Sequence, residues 1–125
     1  MIVIDTNIVV EILERRSKLP AVLEYLKRNQ DEEIAISTLT LSNVFYLLES
    51  HKADISIAEP LLQSYKIISV TAEDADWASA HYKGIDFEDA LQVAAARREA
   101  CAAFVTIDKK LAKKYDSFLP VELLD

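Results

Sequence analysis

Glycine occurs once in this chain of 125 residues, at Gly84, and a single glycine cannot build a glycine-rich phosphate loop. Nor does any serine sit on the strained, glycine-flanked turn that a hydroxyl nucleophile needs. Cysteine is also single, which excludes an intramolecular disulfide and a cysteine cage for zinc. Cys101 lies in ACAAFV, the setting of a buried, inert thiol. His51 and His81 are isolated, with no metal-ligand spacing around them. No apolar run nears the ~20 residues of a membrane span, and the first residues lack a signal peptide's basic start and small-residue cleavage site. The expectation is a soluble cytoplasmic protein with no membrane contact. Positive charge is short as well: 14 Lys and Arg against 21 Asp and Glu leave a net charge of −7. That argues against a broad basic face gripping nucleic acid through its phosphates. It does not exclude a nuclease whose acids hold divalent cations, because the metal inverts the charge that a phosphate meets.

What is present is an alternation of short apolar strands and amphipathic helices, without repeats, low-complexity tracts or linkers. The length is that of one domain, residues 1–125. Strands are predicted at IVID (2–5), EIAIS (33–37), KIISV (66–70) and AAFVTI (102–107), with LPVEL adding an edge strand, a position that suits Pro120. Helices are predicted over NIVVEILER, from Pro20 to about residue 29, over TLTLSNVFYLLES, around 56–64, over AEDADWASAHY up to Gly84, and over DFEDALQVAAARREA. A short lysine-bearing helix follows Asp108. Leu41, Val44, Phe45 and Leu48 form one stripe, and Phe87, Ala90, Leu91, Ala94 and Ala95 another. Trp77 and Tyr82, five apart, need not share a face and suit core packing or a dimer contact. Strands and helices alternating in this way predict a three-layer α/β fold: a central, mostly parallel sheet of about five strands flanked by helices.

In such a sheet, sites form outside the carboxyl ends of the strands. Asp5 closes the first strand, Ser37 the second, and Asp108 follows the fourth; Asp86 and Asp89 open the helix that feeds it. Each acid has a bland explanation. Asp5, Thr6 or Asn7 caps the first helix, Asp86 caps its own with Glu88 and Asp89 in the favoured first turn, and Asp108 caps the lysine helix. Together they ask for more. Carboxylates gathered at one sheet edge repel, and one is driven to protonate unless a cation intervenes. Mg²⁺ and Mn²⁺ take oxygen ligands from a few carboxylates, waters and substrate phosphate, which points to phosphoryl chemistry.

These segments resemble a PIN domain, in particular the VapC-type toxins of toxin-antitoxin pairs. IVIDTNIVV is similar to the family's opening strand with Asp-Thr-Asn, AISTLTLSNVFYLL to its second-strand Ser and following helix, DFEDALQVAAA to its Asp-bearing helix, and AAFVTIDKKL to its closing Thr-x-Asp. The order and spacing cover nearly the whole chain. The resemblance implies a metal-dependent endoribonuclease that leaves a 5′-phosphate, works with Mg²⁺ or Mn²⁺, pairs with an antitoxin and forms a homodimer. It assigns Asp5, Asp89 and Asp108 as catalytic metal ligands, with Thr6, Asn7, Ser37 and Thr106 as supporting groups.

One position departs from the pattern. Most family members carry Glu where this chain has Asn43, so one of four usual acids is missing. Asn is a poor mid-helix residue. Two readings stay open for it: an amide that orients a neighbouring Asp, or a core amide tying its helix to a strand end. Asp86, three positions before Asp89, is the expected substitute ligand. Arg15, Arg16, Lys109 and Lys110 are candidate RNA contacts, set against the bland reading of a solvated charged face. The alternative function is a catalytically weak or inactive PIN-like module that binds a protein partner through its acidic pocket. A receiver-like domain fails because the third strand ends in SVTAED, and a DxD phosphatase fails because Asn7 stands where its second acid belongs.

Overall fold

Ile2, Val3 and Ile4 are β-branched and all buried, so the first strand, β1 (Ile2–Ile4), runs through the middle of the molecule. A computed structural model describes all 125 residues. It pairs β1 in parallel with β2 (Ile34–Ser37) on one side and with β4 (Ala103–Thr106) on the other, so that Val3 lies between Ala35 and Phe104. β3 (Lys66–Ile68) and β5 (Val121–Leu123) complete a five-stranded, wholly parallel sheet in the order β3-β2-β1-β4-β5. The expected edge strand after Pro120 is β5.

The period of two along the strands divides the core. Ile2, Ile4, Ile36 and Val105 face one layer, made of α1 (Thr6–Glu14), α2 (Leu19–Arg28), α3 (Thr38–Ser50), a 3-10 turn (Ile55–Ala58) and α4 (Glu59–Ser64). Val3, Ala35 and Phe104 face the other, made of α5 (Ala72–His81), α6 (Phe87–Arg98) and α7 (Lys109–Tyr115). Three layers and a parallel sheet are the architecture the sequence predicts. Boundaries shift by a residue or two: β1 stops at Ile4 rather than Asp5, β3 at Ile68, and α6 at Arg98. Cys101 is buried and unpaired, as its setting implied.

The α3 stripe packs as predicted, with Val44 and Leu48 buried and Leu41 and Phe45 against them. That of α6 packs in part: Ala90, Ala94 and Ala95 are buried and Leu91 lies against the core, but the buried surface extends beyond the stripe. Phe87 is exposed, while Gln92, Val93 and Ala96 are buried as well. α6 touches the sheet on one side and α5 on another, so its alanines leave almost no free face. Arg98 fastens the pair, donating to the buried Asp74 carboxylate at 3.0 Å and to the Ser69 carbonyl at 2.7 Å. Trp77 packs in this layer, stacked on His81 at 4.1 Å, and Tyr82 packs edge-on to Phe87 at 5.0 Å. Core packing therefore accounts for Trp77. His81 gives its Nδ1 to the Trp77 carbonyl. No helix is long and apolar enough to cross a membrane.

Candidate active site

The chain moves outward from β1 to β2 to β3, then returns past β1 to lay down β4. The direction of winding therefore reverses between β1 and β4, and a crevice opens where their carboxyl ends part. Asp5 leaves one of these strands and Asp108 follows the other. The first turn of α6 delivers Glu88 and Asp89 to the same place. Together with Thr6, Asn7, Val10, Arg16 and Gln92, these acids line one open cavity of 260 Å³.

Capping explains one of the acids and fails for two. Asp108 caps α7, accepting the Lys110 and Leu111 amides through Oδ1 at 2.9 and 3.2 Å. Asp5 stands at the cap position of α1 without making a side-chain cap bond. Asp86 holds the corresponding place before α6 in a left-handed conformation, φ 58°, and it too makes no cap bond. Asp5, buried and without a cap bond, has other side-chain partners.

Those of Asp5 come from distant parts of the chain. Thr106 donates its hydroxyl to Asp5 Oδ2 at 2.8 Å, and the Gln92 amide donates to Oδ1 at 3.3 Å. The Thr106 oxygen in turn accepts from Asn7 Nδ2 at 3.2 Å and from the Asp108 amide at 3.0 Å, so one hydroxyl ties the ends of β1 and β4 together. Gln92 closes a second circuit. Its Nε2 donates to the Thr6 hydroxyl at 3.1 Å, and its Oε1 accepts from Thr40 at 3.0 Å. Since Thr40 spends its only proton on Gln92, the 2.8 Å contact between Thr6 and Thr40 runs from the Thr6 hydroxyl to the Thr40 oxygen. This directed ring leaves the amide end of Gln92 facing Asp5; the flipped orientation would set two oxygens against each other. Ser37 supports the ring from behind, capping α3 through the Thr40 amide at 3.2 Å.

Electrostatics matches this crowding. Burial lifts the Asp5 carboxyl from 3.8 to about 6, with the Asp108 charge adding to the rise while Thr106, the Thr6 backbone amide and Gln92 oppose it. Asp89 rises further, to about 7, through burial and then the charges of Asp5, Asp86, Asp108 and Glu88. No group of three or more acidic or imidazole side chains converges tightly enough to form a ready cage for a metal. The donors nonetheless fit Mg²⁺ or Mn²⁺, which keep several waters and take one or two carboxylates. The set is all oxygen, its acids repel, and the buried Asn7 Oδ1 has no hydrogen-bond partner.

The other predicted residues divide. Asp86 lines a second cavity of 180 Å³ with Asp89, Asp108, Lys110, Lys114 and Tyr115, adjoining the first across the two shared acids. Arg16 reaches the main cavity while pairing with Glu14. Arg15 and Lys109 are exposed and line neither cavity. Asn43 follows neither reading of the sequence. It is half-buried and donates its amide to Glu88, not to an Asp or a strand end. Sequence reasoning missed Gln92 and Thr40 and treated Glu88 only as a helix-dipole residue. The usable signal was spacing: Gln92 stands one turn after Asp89 among alanines, and Thr40 three residues after Ser37.

The family model described as PIN domain matches residues 2–117. No curated protein matches in sequence. Among solved structures, a toxin-antitoxin complex from Klebsiella pneumoniae superposes with a TM-score of 0.76 at 18% identity, covering 98% of this chain and 96% of the other. VapBC2 from Rickettsia felis, bound to a DNA fragment from their promoter, gives 0.71 at 25% identity with full coverage of both chains. FitAcB from Neisseria gonorrhoeae gives 0.74 at 19%, covering 97% and 96%. With the family match spanning almost the whole sequence, the chain belongs to the PIN domain family.

Proposed function

Taking PIN-domain membership as premise, we propose that this chain is a metal-dependent endoribonuclease that hydrolyses RNA phosphodiester bonds, and the toxin of a VapBC-type toxin-antitoxin pair. One observation carries the reading. Asp5, Asp89 and Asp108 meet in a single open cavity at the switch point of the sheet, with two of them held well above the usual carboxylate range. Acids kept in mutual conflict serve a cation better than they serve the fold. Asp5, Asp89 and Asp108 would hold Mg²⁺ or Mn²⁺, with Asp86 at the adjoining cavity. When bound, such an ion supplies an activated water and positive charge against the phosphodiester.

The chain's own groups do the positioning. Thr106 and Gln92 fix both oxygens of Asp5, and Thr106 holds the Asp108 backbone at the same time. Arg16 stands at the rim of the main cavity and Lys110 at the second, where each meets an RNA phosphate and offsets the acidic surface. The similar structures solved with antitoxins support a protein partner for this chain as well.

The test is cleavage of mixed structured RNAs with Mn²⁺ or Mg²⁺, beside EDTA and Asp5→Asn controls. Cuts that disappear in both controls are the expected result. Activity surviving Asp5→Asn and Asp108→Asn together refutes the assignment. Absence of cleavage by the folded protein favours a second reading, for which Asn43 in place of an acid speaks: a module whose acidic pocket receives a basic segment of a partner.

A further inference from the structure

We propose that Glu88 is the fourth acid of this site and that Asn43 is its positioning residue. The inference rests on the metal-dependent reading above. Successive residues of a helix point about 100° apart, so Glu88 and Asp89 do not ordinarily serve one target. Here both line the same cavity. What brings Glu88 in is a contact from another element: Asn43, 45 residues earlier on α3, donates Nδ2 to Glu88 Oε1.

The chemistry of that contact suits a ligand. A lysine or arginine at 43 would neutralise the carboxylate and compete with a cation. An amide donates a hydrogen bond yet leaves the full negative charge in place. Glu88 makes no ion pair, although Arg16 lines the same cavity and pairs instead with Glu14. Glu88 is exposed and no hydrogen bond within the chain takes its Oε2, so that oxygen is open to solvent and to a cation entering the cavity. Asn43 also gains a reason for its place in the middle of α3: its amide has a single side-chain partner, and that partner is an acid of the site. An acid carried by α6 and aimed by α3 thus stands in for an acid carried by α3 itself.

The test is Mn²⁺ binding by calorimetric titration, read independently of cleavage, on the wild type, Asp5→Asn, Glu88→Gln, Asn43→Leu and the double variant Asn43→Glu/Glu88→Gln. Glu88 is exposed, so circular dichroism is expected to show the wild-type fold in its variants. Glu88→Gln and Asn43→Leu are expected to weaken Mn²⁺ binding about tenfold or more. The double variant returns a carboxylate to the same place from the opposite helix and is expected to regain affinity. Wild-type affinity in Glu88→Gln, with binding lost in Asp5→Asn, overturns this proposal and leaves the nuclease reading intact. Absence of Mn²⁺ binding by the wild type overturns both.

Discussion

Replacing Asp5 by Asn should make the metal-free protein more stable above neutral pH. Asp5 is 3% exposed, and its carboxyl is raised from 3.8 to about 6. The folded state therefore holds a proton more tightly than the unfolded chain. Stability from this group is fully present below about pH 4 and is lost as pH rises through about 6. A rise from 3.8 to about 6 corresponds to about 3 kcal/mol. Asparagine does not titrate, so the variant escapes this loss. It has only one acceptor oxygen for the two donors, Thr106 and Gln92, and that deficit costs about 1 kcal/mol at every pH. The quantity to measure is the stability of Asp5→Asn relative to wild type, which should climb by about 2.5 kcal/mol between pH 4 and pH 8 whatever the constant offset. Urea unfolding followed by Trp77 fluorescence in EDTA provides it. Asp89, raised to about 7, extends the wild-type decline toward pH 7 in the same direction. A relative stability that stays flat across this range, or moves in favour of wild type as pH rises, would refute the argument that burial holds the Asp5 carboxylate at a cost to the fold.

Three further outcomes follow from the same geometry. Gln92→Leu leaves the Thr40 hydroxyl without its acceptor and Asp5 without a donor, so thermal or urea unfolding should show a loss of about 1–3 kcal/mol. Asp108 has two jobs that substitution can separate: Asn keeps the cap on α7 while Ala forfeits about 1 kcal/mol of it, yet both should reduce RNA cleavage about 100-fold. Tyr115 is buried with an unpartnered hydroxyl, so Tyr115→Phe should leave stability unchanged or raise it by up to about 1 kcal/mol in the same unfolding assay.

Much of the fold was legible because its strands are short, β-branched and separated by helical spacing, which leaves little besides a parallel sheet. Asp5 and Asp108 were legible for a related reason: a parallel sheet collects its strand ends on one edge, so residues that close strands meet there. α6 shows where this reading stops. A stripe describes a helix with one buried face, and α6 is buried on nearly all sides by the sheet and α5. Gln92 consequently looked like a break in an apolar pattern. Its partners Thr40, Thr6 and Asp5 lie 52, 86 and 87 residues away, beyond the reach of any local spacing.

Read along the chain, an amide in place of an acid at position 43 is a loss, and the natural repair is sought at Asp86, close to Asp89. Asp86 adopts a left-handed conformation outside the helix and lines the adjoining cavity together with Asp89 and Asp108. Glu88 lies in the cavity itself, held there by the amide that seemed to mark the loss. Charge at a site depends on where carboxylates end up rather than on which element carries them. A helix pair facing one crevice can exchange acid and amide and keep the same charge between them. Under the proposed pairing, positions 43 and 88 act together, and an acid at both is expected to add repulsion to a site where Asp89 is already pushed to about 7.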